Sequence, residues 1–360
     1  MGRGAAAVLP GPGRGLEIRE YPLAPCEPGG MVIKVAMAGV CGTDLHILEG
    51  KRPDSRYPMI PGHEIVGWVV EADPLCRDPF GDSFAPGDRV LVFLSVFCGH
   101  CRACLRKEPN LCDNRLIYGI APFVCSEPPH FRGGYAEYLY VLPGSTVFHI
   151  PNAVTFEAAV SAGCAGGTAM HAHRKVALLP GDLVVVLGAG PVGLYCAAIA
   201  QERGATVVVA DVAEGRLRVA KRFCRFTVDA ASVTQTVKDM SDGHGADVVF
   251  SCTGNPRAFP TCLLLIRRGG IVVEVGYGAD VGEVSFNPYR MLTHREARIF
   301  GSWSLEAYDV WRVLEFLGQG IYPFAELVTR KVPLVHASEA LSAARSGTEG
   351  KVVIVPTDSE

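Results

Sequence analysis

Four cysteines lie close together in the chain, with the spacing C-x2-C-x2-C-x7-C: Cys98, Cys101, Cys104 and Cys112. Four thiolates on one loop can surround a tetrahedral ion, with zinc–sulfur distances of about 2.3 Å. Because four protein ligands leave no open coordination position, a zinc ion here would be structural. A redox C-x-x-C pair would not need four cysteines, whereas an iron–sulfur cluster uses the same ligation and stays an alternative. The spacing therefore predicts a structural zinc site.

A second, dispersed set of residues could hold a catalytic ion. Cys41, His63 and Cys164 are far apart in the sequence, and each lies in a segment rich in glycine. Two thiolates and one imidazole, with a water in the fourth position, form an open catalytic zinc site. No spacing brings these three residues together. A lone histidine is more often structural, and a lone buried cysteine is more often part of a core.

Residues 183–211 form a third candidate site, for a nucleotide. An apolar run, a G-x-G-x-x-G turn, a helical run and a second apolar run follow one another there. That order is the dinucleotide-binding fingerprint of a βαβ unit. Gly188 would make the tight turn, Gly190 would let the backbone approach a pyrophosphate, and Gly193 would let the helix pack closely. The helix N-terminus at Pro191 and Val192 would then face the phosphates. A ligand-free tight turn in an ordinary α/β sheet is the alternative.

The end of the second apolar run bears on which dinucleotide binds. Asp211 can accept hydrogen bonds from both ribose hydroxyls of NAD, and its charge would repel the 2′-phosphate of NADP. Arg216 follows five residues later and could pair with that phosphate. The sequence predicts NAD, with a preference that is not absolute.

Length and composition limit the class of protein. A chain of 360 residues exceeds one typical core, so two domains are expected. The net charge of −3, without a basic block, argues against a nucleic-acid partner. The apolar runs are too short for a membrane helix, and we expect no signal peptide and a soluble cytoplasmic protein. In that compartment the thirteen cysteines are not expected to form a disulfide framework.

The hydrophobic pattern changes near residue 156. Before it, short apolar runs between Gly and Pro predict a β-rich domain, interrupted by a Cys- and Pro-rich loop over residues 94–129. After it, buried strands alternate with helices, as in a parallel sheet. The tail contains a predicted amphipathic helix and a last strand. The predicted strands cover 32–37, 66–71, 89–93, 133–139, 183–187, 207–211, 247–251, 270–275 and 351–355, and the tail helix covers 310–317.

The chain resembles the zinc-dependent medium-chain alcohol dehydrogenases across essentially its whole length. The matching features are C-G-T-D-x-H at 41–46, G-H-E at 62–64, the four-cysteine loop at 98–112 and the glycine turn at 188–193. The resemblance implies an α/β protein: a Rossmann domain with a doubly wound parallel sheet, plus a β-rich GroES-like catalytic domain. We expect residues 1–165 and 301–360 in the catalytic domain and residues 166–300 in the Rossmann domain, with the active site in the cleft.

The resemblance also implies the ligands of a catalytic zinc. Cys41, His63 and Cys164 match the family's ligand positions. In the polyol dehydrogenase branch the third ligand is a glutamate, and Glu157 is the rival candidate here. Glu64 matches a nearby carboxylate that can transiently replace the zinc-bound water.

Three further residues match positions around that zinc. Asp44 would orient His63. Thr43 would take the proton of the bound alcohol, and His46 would pass it to solvent. Other interpretations of these positions are a helix N-cap for Thr43 and a surface histidine for His46; Glu64 could simply be a buried paired carboxylate.

Together these features predict an NAD-dependent oxidoreductase with two zinc ions per chain, acting on a small alcohol or carbonyl compound as a homodimer or homotetramer. A zinc-free enone or quinone reductase on the same scaffold is one alternative. A non-catalytic zinc-binding module built on the four-cysteine loop is another. The sequence does not identify the alcohol.

Overall fold

The computed structural model describes residues 2–356, which divide into two compact units. The discontinuous unit contains the chain up to Cys164 and again from Glu306. The central unit is Ala165–Leu305. The boundaries predicted from the sequence fall after residues 165 and 300.

The strands, in chain order, are β1 (Arg3–Val8), β2 (Glu17–Pro22), β3 (Met31–Gly39), β4 (Glu64–Ala72), β5 (Arg89–Val92), β6 (Ser95–Val96), β7 (Leu116–Ile117), β8 (Tyr138–Val141), β9 (Val147–His149), β10 (Leu183–Leu187), β11 (Thr206–Asp211), β12 (Phe226–Asp229), β13 (Ala246–Ser251), β14 (Ile266–Glu274), β15 (Arg298–Gly301), β16 (Val328–Pro333) and β17 (Lys351–Val355). The helices are α1 (Gly42–Leu48), α2 (Arg102–Leu105), α3 (Phe156–Ala159), α4 (Gly167–His173), α5 (Pro191–Glu202), α6 (Glu214–Ala220), α7 (Val233–Met240), α8 (Phe259–Leu265), α9 (Ala307–Gly318) and α10 (Ala337–Ser346).

The discontinuous unit is built on a sheet in the order β16-β17-β3-β4-β5-β9, with β8 also paired to β3. The β3–β4 pairing is antiparallel and places Gly39 opposite Glu64. The last strand, β17, pairs with the end of β3 through Val353 and Ile354. Residues near positions 40, 64 and 351 therefore meet at one end of these three strands.

One predicted strand is partly wrong. The strand expected over 133–139 begins only at Tyr138, because the preceding glycines lie against another segment. A Cβ on Gly133 would lie 1.9 Å from the carbonyl oxygen of Ile60, so the backbone here passes too close for a regular strand with side chains. The other predicted strands and the tail helix are present, with ends shifted by a few residues.

The central unit has a parallel sheet in the order β12-β11-β10-β13-β14-β15. Numbered within the unit this is 3-2-1-4-5-6, the doubly wound Rossmann order. Strand β10 is buried along its whole length, as its continuous apolar run predicts. The carboxyl ends of β10 and β11 therefore lie side by side. The glycine turn follows β10 at this edge, and Asp211 is the last residue of β11 at the same edge.

Two further features concern the whole described chain. Among residues 2–356 no helix combines the length and apolar character needed to span a bilayer. All thirteen cysteines are free thiols.

Candidate functional site

Four side chains from three distant segments converge in the discontinuous unit. Cys41, His63, Glu64 and Cys164 each offer a donor atom, and these atoms all lie within 4.8 Å of one another. The structure thus brings together the three dispersed residues, which no sequence spacing linked, and Glu64, which the family resemblance implied beside the zinc. We call this set the mixed cluster.

Cys41 is placed by the junction between β3 and α1. It is the N-cap of α1, and its backbone N–H donates to Asp44 Oδ2 over 2.8 Å. The interpretation of Thr43 as the N-cap is therefore wrong, because the N-cap is Cys41, two residues earlier, and the helix begins at Gly42. An acidic residue in the first turn also suits the helix dipole.

His63 lies against the same carboxylate. Its Nδ1 lies 3.4 Å from Asp44 Oδ1, and both side chains are buried. Because Nδ1 faces Asp44, Nε2 is left as the nitrogen that can bind a metal, the arrangement usual for ligating histidines.

Cys164 reaches the mixed cluster from a single π-helical turn, Ala162–Gly166. Such turns often occur at functional sites. The rival ligand Glu157 lies outside the cluster: it is on α3, and its Oε1 accepts a hydrogen bond of 2.7 Å from Lys331. The donor set found here is thus the one with two sulfurs.

Glu64 is a buried paired carboxylate, one of the interpretations open from the sequence, but its partner Lys351 was not predicted. Lys351 Nζ lies 2.7 Å from Oε1 and 2.6 Å from Oε2, and both side chains are at most 4% exposed. Nζ also donates to the carbonyl of Val40 over 3.2 Å. A Cβ on Gly39 would lie 2.0 Å from Glu64 Oε2, so glycine leaves the room that the carboxylate needs. Apart from an apolar run around one lysine, no sequence signal marks Lys351.

The two thiols of the mixed cluster differ in acidity. A hydrogen bond from Cys164 lowers the pKa of Cys41 well below its usual value, and the charge of His63 acts in the same direction against desolvation. The same contact, together with desolvation, raises the pKa of Cys164. The contact between the two thiols therefore favours the thiolate at Cys41 over Cys164, and the thiolate is the form that binds metal ions.

The ion pair beside the thiols is also perturbed. Desolvation raises the pKa of Glu64 to about 7, although the charge of Lys351 opposes it. Desolvation lowers the pKa of Lys351, but the charges of Glu64 and Cys41 outweigh it, and the pKa lies above its usual value. Lys351 thus stays a buried cation next to concentrated negative charge.

Thr43 and His46 lie three positions apart on α1, and side chains at that spacing share a helix face. Thr43 Oγ1 is 3.8 Å from Cys41 Sγ. His46 is half-buried, and its Nδ1 has no hydrogen-bond partner among residues 2–356. The interpretation of His46 as a plain surface histidine therefore does not describe its position.

The four cysteines of the loop also converge, with donor atoms all within 4.8 Å. Cys98 Sγ is 4.0 Å from Cys104 Sγ and 3.5 Å from Cys112 Sγ. Hydrogen bonds from backbone N–H groups lower the pKa of Cys98 to about 6, and the N–H of His100 has the largest effect. We call this set the four-thiol cluster.

Both clusters fit a zinc ion in donor type and size. Sulfurs bound at about 2.3 Å around a tetrahedral ion are about 3.8 Å apart, which is close to the separations within the four-thiol cluster. The mixed cluster offers two sulfurs, a nitrogen and an oxygen, all donors that zinc accepts.

The glycine turn of the central unit has the shape that the fingerprint requires. Gly188 has φ +104°, and a Cβ on Gly193 would lie 1.8 Å from the carbonyl oxygen of Gly188. A Cβ on Gly190 would meet no atom within 4 Å. Gly190 is the N-cap of α5, and Pro191 and Val192 begin its first turn, where backbone N–H groups lack partners within the helix. Gly188 and Gly193 are thus required by the fold, whereas the space at Gly190 is open.

Asp211 ends β11 beside this turn. Its Oδ2 accepts a hydrogen bond of 2.7 Å from Ala189 N, and its Oδ1 accepts one of 2.8 Å from Ala213 N. Each carboxylate oxygen can accept a second hydrogen bond. Arg216 Nη1 lies 3.8 Å from Oδ2, so the predicted acid and the competing cation are neighbours.

Comparison with known proteins agrees with this architecture. Residues 27–152 match the alcohol dehydrogenase GroES-like domain, and residues 191–319 match the zinc-binding dehydrogenase domain. L-threonine 3-dehydrogenase of Chelativorans sp. is 32% identical, over 97% of this chain and 98% of that protein. An alcohol dehydrogenase from Thermotoga maritima has a crystal structure with TM-score 0.94 and 31% identity, over 99% of this chain and 100% of that one.

A third protein carries a bound cofactor. It is a putative zinc-binding dehydrogenase from Sinorhizobium meliloti, crystallised with NADP, with TM-score 0.86 and 28% identity over 99% of this chain and 100% of that one. The chain belongs to the zinc-dependent medium-chain dehydrogenase family. It is an oxidoreductase of the zinc-binding type, whose cofactors are zinc and a nicotinamide dinucleotide.

Proposed function

We propose that the protein is an NAD-dependent zinc alcohol dehydrogenase, which oxidises a CH–OH group to an aldehyde or ketone or catalyses the reverse. The observation that supports this most strongly is the mixed cluster, in which Cys41, His63, Glu64 and Cys164 converge from remote segments. A zinc-free enone or quinone reductase would have no use for this donor set.

The residues of the mixed cluster would divide the work between them. Cys41, His63 and Cys164 would hold the zinc, which as a Lewis acid lowers the pKa of a bound hydroxyl. Thr43 Oγ1 would accept the hydroxyl proton and donate its own onward, and His46 would exchange that proton with solvent near neutral pH. A bound nicotinamide would supply the two-electron acceptor, taking the remaining hydrogen of the CH–OH carbon as hydride, so that the oxidation balances.

The four-thiol cluster would hold a second, structural zinc. Its donors come from one short loop, and four sulfurs leave no position for a substrate. The proposal therefore requires two zinc ions per chain with different roles.

NAD is the proposed dinucleotide because Asp211 places a carboxylate at the end of β11. Arg216 lies beside Asp211, and the related Sinorhizobium structure contains NADP, so the size of the preference for NAD over NADP has to be measured. We expect Asp211→Ala to raise the KM for NAD far more than that for NADP. Asp229→Ala is the control, since Asp229 ends the adjacent strand β12 in register with Asp211. An equal effect on both dinucleotides would contradict the assignment.

The substrate is proposed only as a small alcohol or its carbonyl product. L-threonine, named for one relative, is a secondary alcohol, so a panel should include hydroxy amino acids, polyols and simple and aromatic alcohols. Turnover is followed by the absorbance of the reduced nicotinamide.

The metal-dependent test is Cys41→Ser. It should abolish turnover and remove about one zinc per chain while NAD still binds. Cys26→Ser is the control, because Cys26 is a free thiol outside both clusters. Retained activity in Cys41→Ser would refute the proposal.

A cytoplasmic homodimer or homotetramer is the proposed state. Strand β15 supports self-association: it is the exposed edge of the central sheet and bears Ile299 and Phe300 on its surface. Light scattering of the purified protein tests the oligomeric state directly.

A further inference from the structure

Tyr135 is a fully buried tyrosine whose hydroxyl reaches the mixed cluster indirectly. Its OH donates to Asp44 Oδ2 over 3.0 Å, and the other oxygen of that carboxylate faces His63 Nδ1 at 3.4 Å. Asp44 thus links the two residues, through a hydrogen bond to Tyr135 and an ion-pair contact with His63, and all three side chains are at most 2% exposed.

The backbone fixes the ring of Tyr135 against the segment that carries His63. Tyr135 N donates to the carbonyl of Pro61 over 3.0 Å, and Gly134 N donates to that of Gly62 over 2.8 Å. Gly62 has φ +91°, and a Cβ there would lie 2.4 Å from the Tyr135 ring. The turn just before His63 therefore packs directly against the Tyr135 ring, with no room for a side chain at Gly62.

Two hydrogen-bond donors fix the position of the Asp44 carboxylate. Its Oδ2 is shared by the Cys41 backbone N–H and the Tyr135 hydroxyl, so the carboxylate is held from the helix on one side and from the ring on the other. Desolvation and the charge of Asp44 raise the pKa of Tyr135 well above its usual value, so the phenol stays protonated and acts as a donor.

We propose that Tyr135 is a positioning residue for the catalytic metal, acting through Asp44 to fix the orientation of the His63 imidazole. The proposal rests on the proposed function, because it assumes that the mixed cluster binds zinc. Mutation of the group that contacts a ligating histidine typically costs about 10- to 100-fold in metal affinity, and a residue that acts through that group should have an effect at the lower end of that range.

The test is Tyr135→Phe, which removes only the hydroxyl. Zinc affinity is measured by competition with a chromophoric chelator, and the ligand field is read from the visible spectrum of the cobalt-substituted protein. The cobalt signal that disappears in Cys41→Ser is the one assigned to the mixed cluster. We expect Tyr135→Phe to weaken zinc binding there by about 10-fold or more and to shift that cobalt spectrum.

Tyr118→Phe is the matched control. Tyr118 is also fully buried, but its hydroxyl binds Ser145 Oγ at 2.6 Å and accepts from Leu142 N at 2.7 Å, and so serves neither cluster. This variant should leave the zinc affinity and the cobalt spectrum unchanged.

A double-mutant comparison separates an effect of the Tyr135 hydroxyl through Asp44 from an effect on the packing of the ring. In an Asp44→Ala background, the further change Tyr135→Phe should leave zinc affinity unaltered, because the hydroxyl acts through that carboxylate. The proposal is overturned if Tyr135→Phe binds zinc as tightly as Tyr118→Phe, if its effect persists without Asp44, or if it fails to fold while Tyr118→Phe folds. An unmodified chain that binds no metal at the mixed cluster would instead overturn the proposed function.

Discussion

Replacement of Lys351 by methionine should destabilise the discontinuous unit far more than loss of a surface lysine would. Methionine has a similar length and no charge, so it leaves little cavity but isolates the carboxylate of Glu64. Both partners are at most 4% exposed, and Nζ lies 2.6–2.7 Å from both carboxylate oxygens. Removing one partner of a buried pair leaves an uncompensated charge and costs about 3–5 kcal/mol. Because the pKa of Glu64 is already raised to about 7, its isolated carboxyl can take up a proton, and we expect a loss at the lower end of that range, about 3 kcal/mol.

Two comparisons isolate the electrostatic part of this cost. Lys331→Met is the control, because Lys331 pairs with Glu157 at 2.7 Å but is 47% exposed, and exposed pairs contribute about 0–1 kcal/mol. The double variant Glu64→Gln/Lys351→Met has no charge to strand, so its cost should fall about 2 kcal/mol or more below that of Lys351→Met alone.

The assay is guanidinium unfolding of each variant, followed by tryptophan fluorescence, with zinc present and with zinc chelated. The cost of Lys351→Met should be larger in the chelated protein, since a metal ion supplies positive charge near Glu64. The reasoning is refuted if Lys351→Met costs no more than Lys331→Met, or if the double variant costs the sum of its two single changes.

The other predictions concern the central unit and the four-thiol cluster. Burial lowers the pKa of His173 to about 3, so its contribution to stability is present above about pH 6.5 and is lost as the pH falls. The free energy of unfolding should therefore drop between about pH 7 and pH 5, and His173→Gln should make that drop smaller by about 2 kcal/mol. An unchanged drop in the variant would count against this assignment. Cys101→Ala should lose about one zinc per chain and lower the melting temperature, whereas Cys26→Ala should do neither; a stable Cys101→Ala protein with its full zinc content would disprove the structural role. Gly193→Ala should lower the melting temperature because its Cβ meets backbone at 1.8 Å, whereas Gly190→Ala should melt normally but bind NAD more weakly, as calorimetry would show; normal NAD binding by Gly190→Ala would contradict the assigned turn.

The strands and turns that short-range sequence patterns determine could be predicted from the sequence. The continuous apolar runs at β10 and β11 were enough to predict buried parallel strands, and the glycines between them to predict the turn before α5. The strand expected from residue 133 failed at its start because a tertiary contact, the approach of Gly133 to Ile60, decides the backbone there.

The residues of the candidate site also fall into two groups, those marked by a local motif and those that only the fold brings into contact. Cys41, His63 and Cys164 could be named from their motifs, but their meeting is a property of the fold. Lys351 could not be predicted, because it is 287 residues from Glu64 and lies in an ordinary strand pattern. Tyr135 could not be predicted either, since its hydroxyl contacts Asp44 only after two distant segments hydrogen-bond.

The most direct test of the central claim is a zinc anomalous-difference map from crystals of the purified protein. We expect an anomalous peak about 2.0–2.3 Å from the donor atoms of Cys41, His63 and Cys164, separate from a peak in the four-thiol cluster. A map from zinc-replete crystals with density in the four-thiol cluster and none among Cys41, His63 and Cys164 would contradict it.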